Sequence, residues 1–268
     1  MAEILLIEKR DGVATVTLNR PDVRNAFDDV LISSLTAVLK QMEDDKAVRV
    51  LVLAGAGTAF CAGADLNWMK RMAGYGYEQN LADARALAAM LQTLDRLSKP
   101  TVARVQGPAF AGGTGLVAAC DIAVGSTEAV FALTEVKIGL SPATISPYVI
   151  RAIGERAARR YFLTGERFDA AEGYRLGLLS LLVPPGGLDA AVEGVSGHLV
   201  QGGPEAMRKI KDLIRAVSRG GPVADALIDD TAQRIAEIRV SPEGREGIGS
   251  FLEKRKPAWM KSGPPGKG

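Results

Sequence analysis

Apolar and polar positions alternate over residues 4–9 and again over 13–19, with Asp11-Gly12 between the two runs. Alternation of period two around an Asp-Gly pair predicts a β-hairpin. A polar loop follows, from Asn19-Arg20-Pro21 to Asn25-Ala26-Phe27. Asp28 then stands where a helix needs an N-cap, and Leu31, Leu35, Val38, Leu39 and Met42 recur at helical spacing over residues 29–43. Residues 48–53 are apolar but for Arg49, as in a strand covered on both faces. The stripe Leu81, Leu87, Met90, Leu91, Leu94 predicts a long helix over 78–97, ended by Lys99-Pro100. Strands are predicted over 101–105, 121–124 and 130–131, with a small-residue helix before Ala119. Strands that alternate with helices in this way imply parallel pairing through helical crossovers, hence an α/β fold.

From Ser146 onward the pattern is mostly helical. Pro147, Asp169, Pro204, Pro222 and Pro242 each stand where a helix start favours them. The chain thus divides into an α/β core, residues 1–190, and a helical region, 191–260, expected to pack on the core or on another subunit. A Gly- and Pro-rich tail, 261–268, is predicted to be disordered.

Charge narrows the function classes. Lys and Arg number 33 against 31 Asp and Glu, a net charge of +2, which gives no electrostatic case for nucleic acid. The first residues lack the basic start of a signal peptide, and no stretch approaches the ~18 apolar residues of a membrane span. A cytoplasmic protein with no membrane partner is expected. Two cysteines, Cys61 and Cys120, and one histidine, His198, are too few for a disulfide framework or a zinc site. Both cysteines are expected to pack as small buried residues. No GxSxG motif accompanies His198, so a serine-type triad is not expected.

Two glycine-rich turns carry the chemistry. Phe60-Cys61-Ala62-Gly63-Ala64-Asp65-Leu66 and Ala109-Phe110-Ala111-Gly112-Gly113-Thr114-Gly115-Leu116 each follow a predicted strand and precede a predicted helix. Small residues there let a ligand approach the backbone, and a helix start offers free N–H groups. Ala64 and Gly112 are the candidate donors of an oxyanion hole, a pair of amides aimed at one carbonyl oxygen. Two ordinary tight strand-to-helix turns would read the same way. Glu135 sits among apolar neighbours, Phe131 to Leu140, where a carboxyl suits proton transfer; a surface Glu paired with Lys137 is the alternative. Arg24, and Lys254 with Arg255 and Lys256, are candidate phosphate contacts. Trp68 and Met69 could line an acyl pocket or simply pack a helix face.

These segments together resemble the crotonase (enoyl-CoA hydratase/isomerase) superfamily, in order from about Ile4 to Lys256. Asn19-Arg20-Pro21 with Asn25-Ala26 resembles the loop that holds the coenzyme A nucleotide, and the two turns resemble its oxyanion turns. Phe251-Leu252-Glu253-Lys254-Arg255 resembles the C-terminal helix that contacts a neighbouring subunit's coenzyme A. The resemblance implies a ββα spiral core with a helical trimerisation region, a homotrimer or hexamer, and a coenzyme A thioester substrate without metal or redox cofactor. It implies Glu135 as acid/base with Ala64 and Gly112 as donors. It implies Arg24, Ala26, Ala62, Asp65, Leu66, Phe251 and Lys254 around coenzyme A, and Trp68, Met69, Gly113, Gly115, Lys137 and Ala143 around the acyl part. One position departs from the pattern: Gly115 stands where hydratases of the family commonly carry a second glutamate. Residues 64–72 and 145–154 resemble the bacterial methylglutaconyl-CoA hydratase branch of leucine breakdown and the related isohexenylglutaconyl-CoA branch of acyclic terpene breakdown, where Gly at this position is usual. Lys137, Lys70 and Arg71 are then candidates to meet a distal carboxylate. A Δ3,Δ2-enoyl-CoA isomerase using Glu135 alone, and a non-catalytic coenzyme A-binding subunit, are the alternatives.

Overall fold

The computed structural model describes residues 3–219 and 223–260. Pro222 and the tail predicted over 261–268 lie outside the described residues. The hairpin forms as β1 (Leu5–Arg10) and β2 (Val13–Leu18), antiparallel, with Leu5 opposite Leu18. Asp11 and Gly12 both take positive φ at the turn, which Asp tolerates and Gly adopts freely. A 3-10 turn (Pro21–Val23) leads to α1 (Asp29–Asp44), where the Asp28 carboxylate accepts from Leu31 N–H as the capping pattern predicts.

Strand β3 (Val50–Gly55) starts later than the apolar run suggests, because Val48 N–H closes a turn onto Asp45 O. All six of its residues are buried. Alternation divides them between two cores. Leu51 and Leu53 face the main core with α1, whereas Val50 and Val52 face a second cluster. After α2 (Leu66–Met72) and α3 (Tyr77–Arg96) the chain enters β4 (Thr101–Val105), β5 (Ala109–Phe110), α4 (Gly112–Ala119), β6 (Ile122–Ser126) and β7 (Val130–Ala132). A second 3-10 turn (Thr134–Ile138) precedes α5 (Ser146–Thr164), β8 (Arg167–Asp169), α6 (Ala170–Arg175), β9 (Leu181–Val183) and α7 (Leu188–Gln201).

The main sheet runs β1-β2-β3-β4-β6-β9, parallel from β2 onward; β5-β7-β8 form a small second sheet. Helix α7 covers the face that Val50, Val52, Val102 and Val124 present, with Leu188 and Val192. Strands β5, β8 and β9 were not among the predicted elements: at two and three residues they show no periodicity.

Three helices follow: α8 (Pro204–Arg219), α9 (Asp225–Val240) and α10 (Pro242–Leu252). Pro204 and Pro242 open α8 and α10, and Asp169 caps α6. Two side chains anchor α8 to the core: Lys211, 8% exposed, donates to Asp121 at 2.6 Å and to Lys99 O at 3.0 Å, and Arg215 donates to Asp95 O at 2.7 Å. Otherwise these helices leave much apolar surface open, and no residue of α9 is buried. Ile210, Ile214, Ile228, Ile235 and Phe251 are all exposed.

Candidate active site

The two glycine-rich turns meet where the two sheets join. Cys61 N–H donates to Pro108 O, and Phe110 N–H to Cys61 O, so the chain after β3 runs beside β5. Contact is close enough to forbid side chains. A Cβ on Gly113 would stand 2.3 Å from Cys61 O, and one on Gly63 would stand 3.1 Å from the Ala111 Cβ.

Phe27 ties both turns together, a role with no local sequence signal. Its N–H donates to Gly63 O at 2.7 Å and its carbonyl accepts from Asp65 N–H at 2.7 Å. These bonds bracket Ala64, whose own N–H therefore points to the opposite side. The Phe27 ring, 1% exposed, lies over Gly112, where a Cβ would meet its Cε2 at 2.3 Å. Among the described residues, neither Ala64 N–H nor Gly112 N–H finds an acceptor. Gly112 opens α4, so its amide is one of the unpaired donors of a helix start.

The first turn is held by polar side chains. Asp65, 6% exposed, caps α2 by accepting from Asn67 N–H and Trp68 N–H, and its other oxygen meets Arg20 at 3.0 Å. Burial pushes the Asp65 carboxyl up, but the two amides and the Arg20 guanidinium outweigh it and hold it below its ordinary value. Arg20 also meets Asp28 and donates to Ala26 O. Asn25, fully buried in the left-handed region, donates to Ala56 O and Ala59 O and accepts from Arg20 N–H. Arg24 is exposed beside it, and its carbonyl accepts from Ala62 N–H. Arg24, Ala26, Ala62, Asp65 and exposed Leu66 are thus neighbours; the Asp65 side chain is engaged by Arg20, its N–H by Phe27 O and its carbonyl by Met69 N–H.

The second turn is held by backbone geometry. Ala111 has φ 49° and ψ −117°, a conformation that strains an L-residue. Ala111 N–H is fixed on Ala132 O at 2.7 Å, and the Thr114 hydroxyl donates to Ala109 O. Because β7 ends at Ala132, the chain delivers Glu135 within one 3-10 turn of this point. Burial pushes the Glu135 carboxyl above its ordinary 4.5, and its Oε2 is buried without a hydrogen-bond partner among the described residues. Its own backbone amide offsets part of that rise, and a partly desolvated carboxylate with one free oxygen suits a group that takes up and releases a proton.

Position 115 is closed to any side chain. A Cβ there would stand 2.3 Å from Ile145 Cγ2 and 2.8 Å from Ile145 Cβ. The volume that a second carboxylate would use is filled by a buried isoleucine from the start of α5. Gly115 therefore faces Ile145, and Gly113 faces Cys61; neither presents a side chain's worth of open space to a ligand.

Other expected site residues are dispersed. Trp68 is 5% exposed in the main core with its Nε1 on Asp83, and it lines a cavity between α1 and α3 with Ile32 and Ala86. Met69 is half-buried on α2, Lys137 is exposed beside Glu135, and Ala143 is exposed. Arg71 is engaged by Asp29, while Lys70 is exposed. Phe251 is 81% exposed; the helix that carries it packs on α8 and α9 rather than on the turns, with Lys254 just beyond its end. Arg255 is paired with Glu246 and Glu253. His198 is exposed in the last turn of α7. Burial raises both thiols, Cys61 to about 12, which keeps them protonated and unreactive. No described helix is long and apolar enough to cross a membrane.

Residues 8–262 match the family model described as enoyl-CoA hydratase/isomerase. The structure is similar to an enoyl-CoA hydratase from Shewanella pealeana, with TM-score 0.93 and 45% identity over 96% of each chain. It is also similar to Pseudomonas aeruginosa AtuE, with TM-score 0.91 and 38% identity over 97% of this chain and all of the other. Among curated proteins, enoyl-CoA hydratase EchA19 of Mycobacterium tuberculosis is 33% identical over 94% of both chains. With these likenesses spanning nearly the whole sequence, the chain belongs to the enoyl-CoA hydratase/isomerase family and is an enzyme of the hydratase type.

Proposed function

We propose that this enzyme reversibly hydrates a branched 2-enoyl-CoA, 3-methylglutaconyl-CoA in particular, giving 3-hydroxy-3-methylglutaryl-CoA. The observation that carries the reading is half-buried Glu135, whose Oε2 is buried without a hydrogen-bond partner among the described residues, one 3-10 turn beyond the strand end that fixes the second turn and its unpaired amide. In this reading the Ala64 and Gly112 amides polarise the thioester carbonyl, which makes C3 electrophilic and stabilises the enolate-like state. Glu135 takes a proton from water as the oxygen attacks C3, and a proton is then delivered to C2. One carboxylate serves both transfers, because Ile145 closes position 115. The branched substrate is supported by the resemblance of residues 64–72 and 145–154 to the methylglutaconyl-CoA hydratase branch. Its distal carboxylate is assigned to Lys137 or Lys70, since Arg71 is engaged by Asp29. The exposed apolar faces of α8 to α10 support assembly into a trimer or a dimer of trimers, through which Phe251 and Lys254 would reach a neighbour's coenzyme A.

Glu135→Gln tests the mechanism. It is expected to lower kcat on 3-methylglutaconyl-CoA by about 10²- to 10⁴-fold; retention of most activity removes Glu135 from the reaction. The same variant carries a pH signature. A carboxyl whose pKa is raised on folding contributes stability below its unfolded value of 4.5 and loses it as pH rises through the folded value. Glu135→Gln should therefore be the more stable protein at pH 7–8, and the gap should close toward pH 4.

The single carboxylate also favours a second reading, a Δ3,Δ2-enoyl-CoA isomerase with Glu135 as the one proton shuttle. Turnover in ¹⁸O-water separates the two. A hydratase places the label in a 3-hydroxyacyl product and an isomerase does not.

A further inference from the structure

We infer that Phe27 is a positioning residue that sets the separation of the Ala64 and Gly112 amides; this rests on the reading of those amides as the pair that binds the thioester oxygen. Three observations lead to it. The Phe27 backbone clasps the first turn on both sides of Ala64, through Gly63 O and Asp65 N–H. Its ring edge touches the second turn at Gly112 so closely that a Cβ there would stand 2.3 Å from Cε2 and 2.9 Å from Cδ2. The residue itself cannot drift. It is 1% exposed, and the loop that carries it is fixed by Arg20 on Asp65 and Asp28 and by Asn25 on three carbonyls.

The ring is thus a rigid spacer between two amides that belong to different turns. An aromatic side chain suits this task because it is planar and has few rotamers, whereas an aliphatic one leaves room for the turn to relax. The second turn is disposed to relax, since Ala111, next to Gly112, is held in a strained conformation. Hydrogen bonds to a developing oxyanion work only with donors about 2.7–3.1 Å from where the charge appears. A small displacement of Gly112 therefore weakens transition-state binding more than ground-state binding. It lowers kcat and leaves KM almost unchanged.

The test uses the full-length enzyme with Phe27→Leu, Phe27→Met, Gly112→Ala and Gly112→Ala/Phe27→Leu. Kinetics are measured on crotonyl-CoA or 3-methylglutaconyl-CoA, whichever the parent hydrates faster. Oxyanion contact is read directly as the downshift of the carbonyl stretch of bound butyryl-CoA, ¹³C-labelled at the thioester carbon, which cannot react. Phe27→Leu is expected to lower kcat about tenfold or more with KM within about threefold, and to reduce the downshift. Phe27→Met, longer and able to refill the gap, should recover part of both. Gly112→Ala alone should be severely impaired, and the added Phe27→Leu should restore part of its thermal stability, because the ring edge that blocks the Cβ is gone. A downshift in the Phe27 variants equal to the parent's, with kcat unchanged, overturns the inference alone. A parent that binds butyryl-CoA with no downshift overturns the oxyanion reading, and the inference with it.

Discussion

The two turns offer the same group, a free backbone amide beside a helix start, and secure it by different physics. The first turn is fastened by charge. Asp65 caps α2 and meets Arg20, which also reaches Asp28 and Ala26 O. The second is fastened mainly by shape, with Arg167 over the Phe110 ring as a charged neighbour. Close packing of Gly112 on Phe27 and Gly113 on Cys61, one amide bond to Ala132 O and a strained Ala111 hold it in place. Polar fastenings respond to pH and salt; steric ones do not. The difference teaches that one half of the site is tunable by solution conditions and the other only by shape.

Gly113→Ala should break the steric half most severely. Its new Cβ would meet a backbone oxygen that has no rotamer to escape into, so a loss of about 3 kcal/mol or more is expected. Thermal unfolding at neutral pH and at high salt should give the same loss. Asp65→Ala should break the polar half by about 2–3 kcal/mol, through a lost cap and an Arg20 that keeps Asp28 as its one carboxylate beside Ala26 O. The sign of its pH dependence follows from a carboxyl held below 3.8 in the fold. Stability from Asp65 is present above that value and lost as pH falls through the folded one, so parent and variant should converge in acid. Equal behaviour of Gly113→Ala and Asp65→Ala across pH would erase the contrast. The smallest effect sharpens it. Ala111→Gly relieves positive-φ strain but loosens the unfolded chain, and a net gain of up to about 1 kcal/mol is expected in denaturant titrations. That gain should come with lower kcat if the strain serves to hold Gly112 against the Phe27 ring.

Much of this frame was legible in the order of residues, because it is local. The Asp28 cap, the Asp-Gly hairpin turn and the buried run of β3 each follow from neighbours a few positions apart. The candidate residues Ala64, Gly112 and Glu135 were legible for the same reason, as glycine turns after strands and a carboxyl in an apolar segment. What escaped is contact between distant segments. Nothing near Phe27 announces that its ring lies on Gly112, and nothing near Ile145 announces that it fills the space over Gly115. Trp68 was ambiguous by spacing, and nothing near it announces its bond to Asp83. Ala111 is invisible as a strained residue because its side chain is the most ordinary of all. Helix α9 was legible as a helix, yet nothing in its spacing announces that none of its residues is buried.

The ion pair between buried Lys211 and exposed Asp121 ties α8 to the chain at the end of α4. Asp121 stands just behind α4, a rod of eight residues whose front end is Gly112. One short helix thus stands between the Lys211 anchor of α8 and the amide of Gly112.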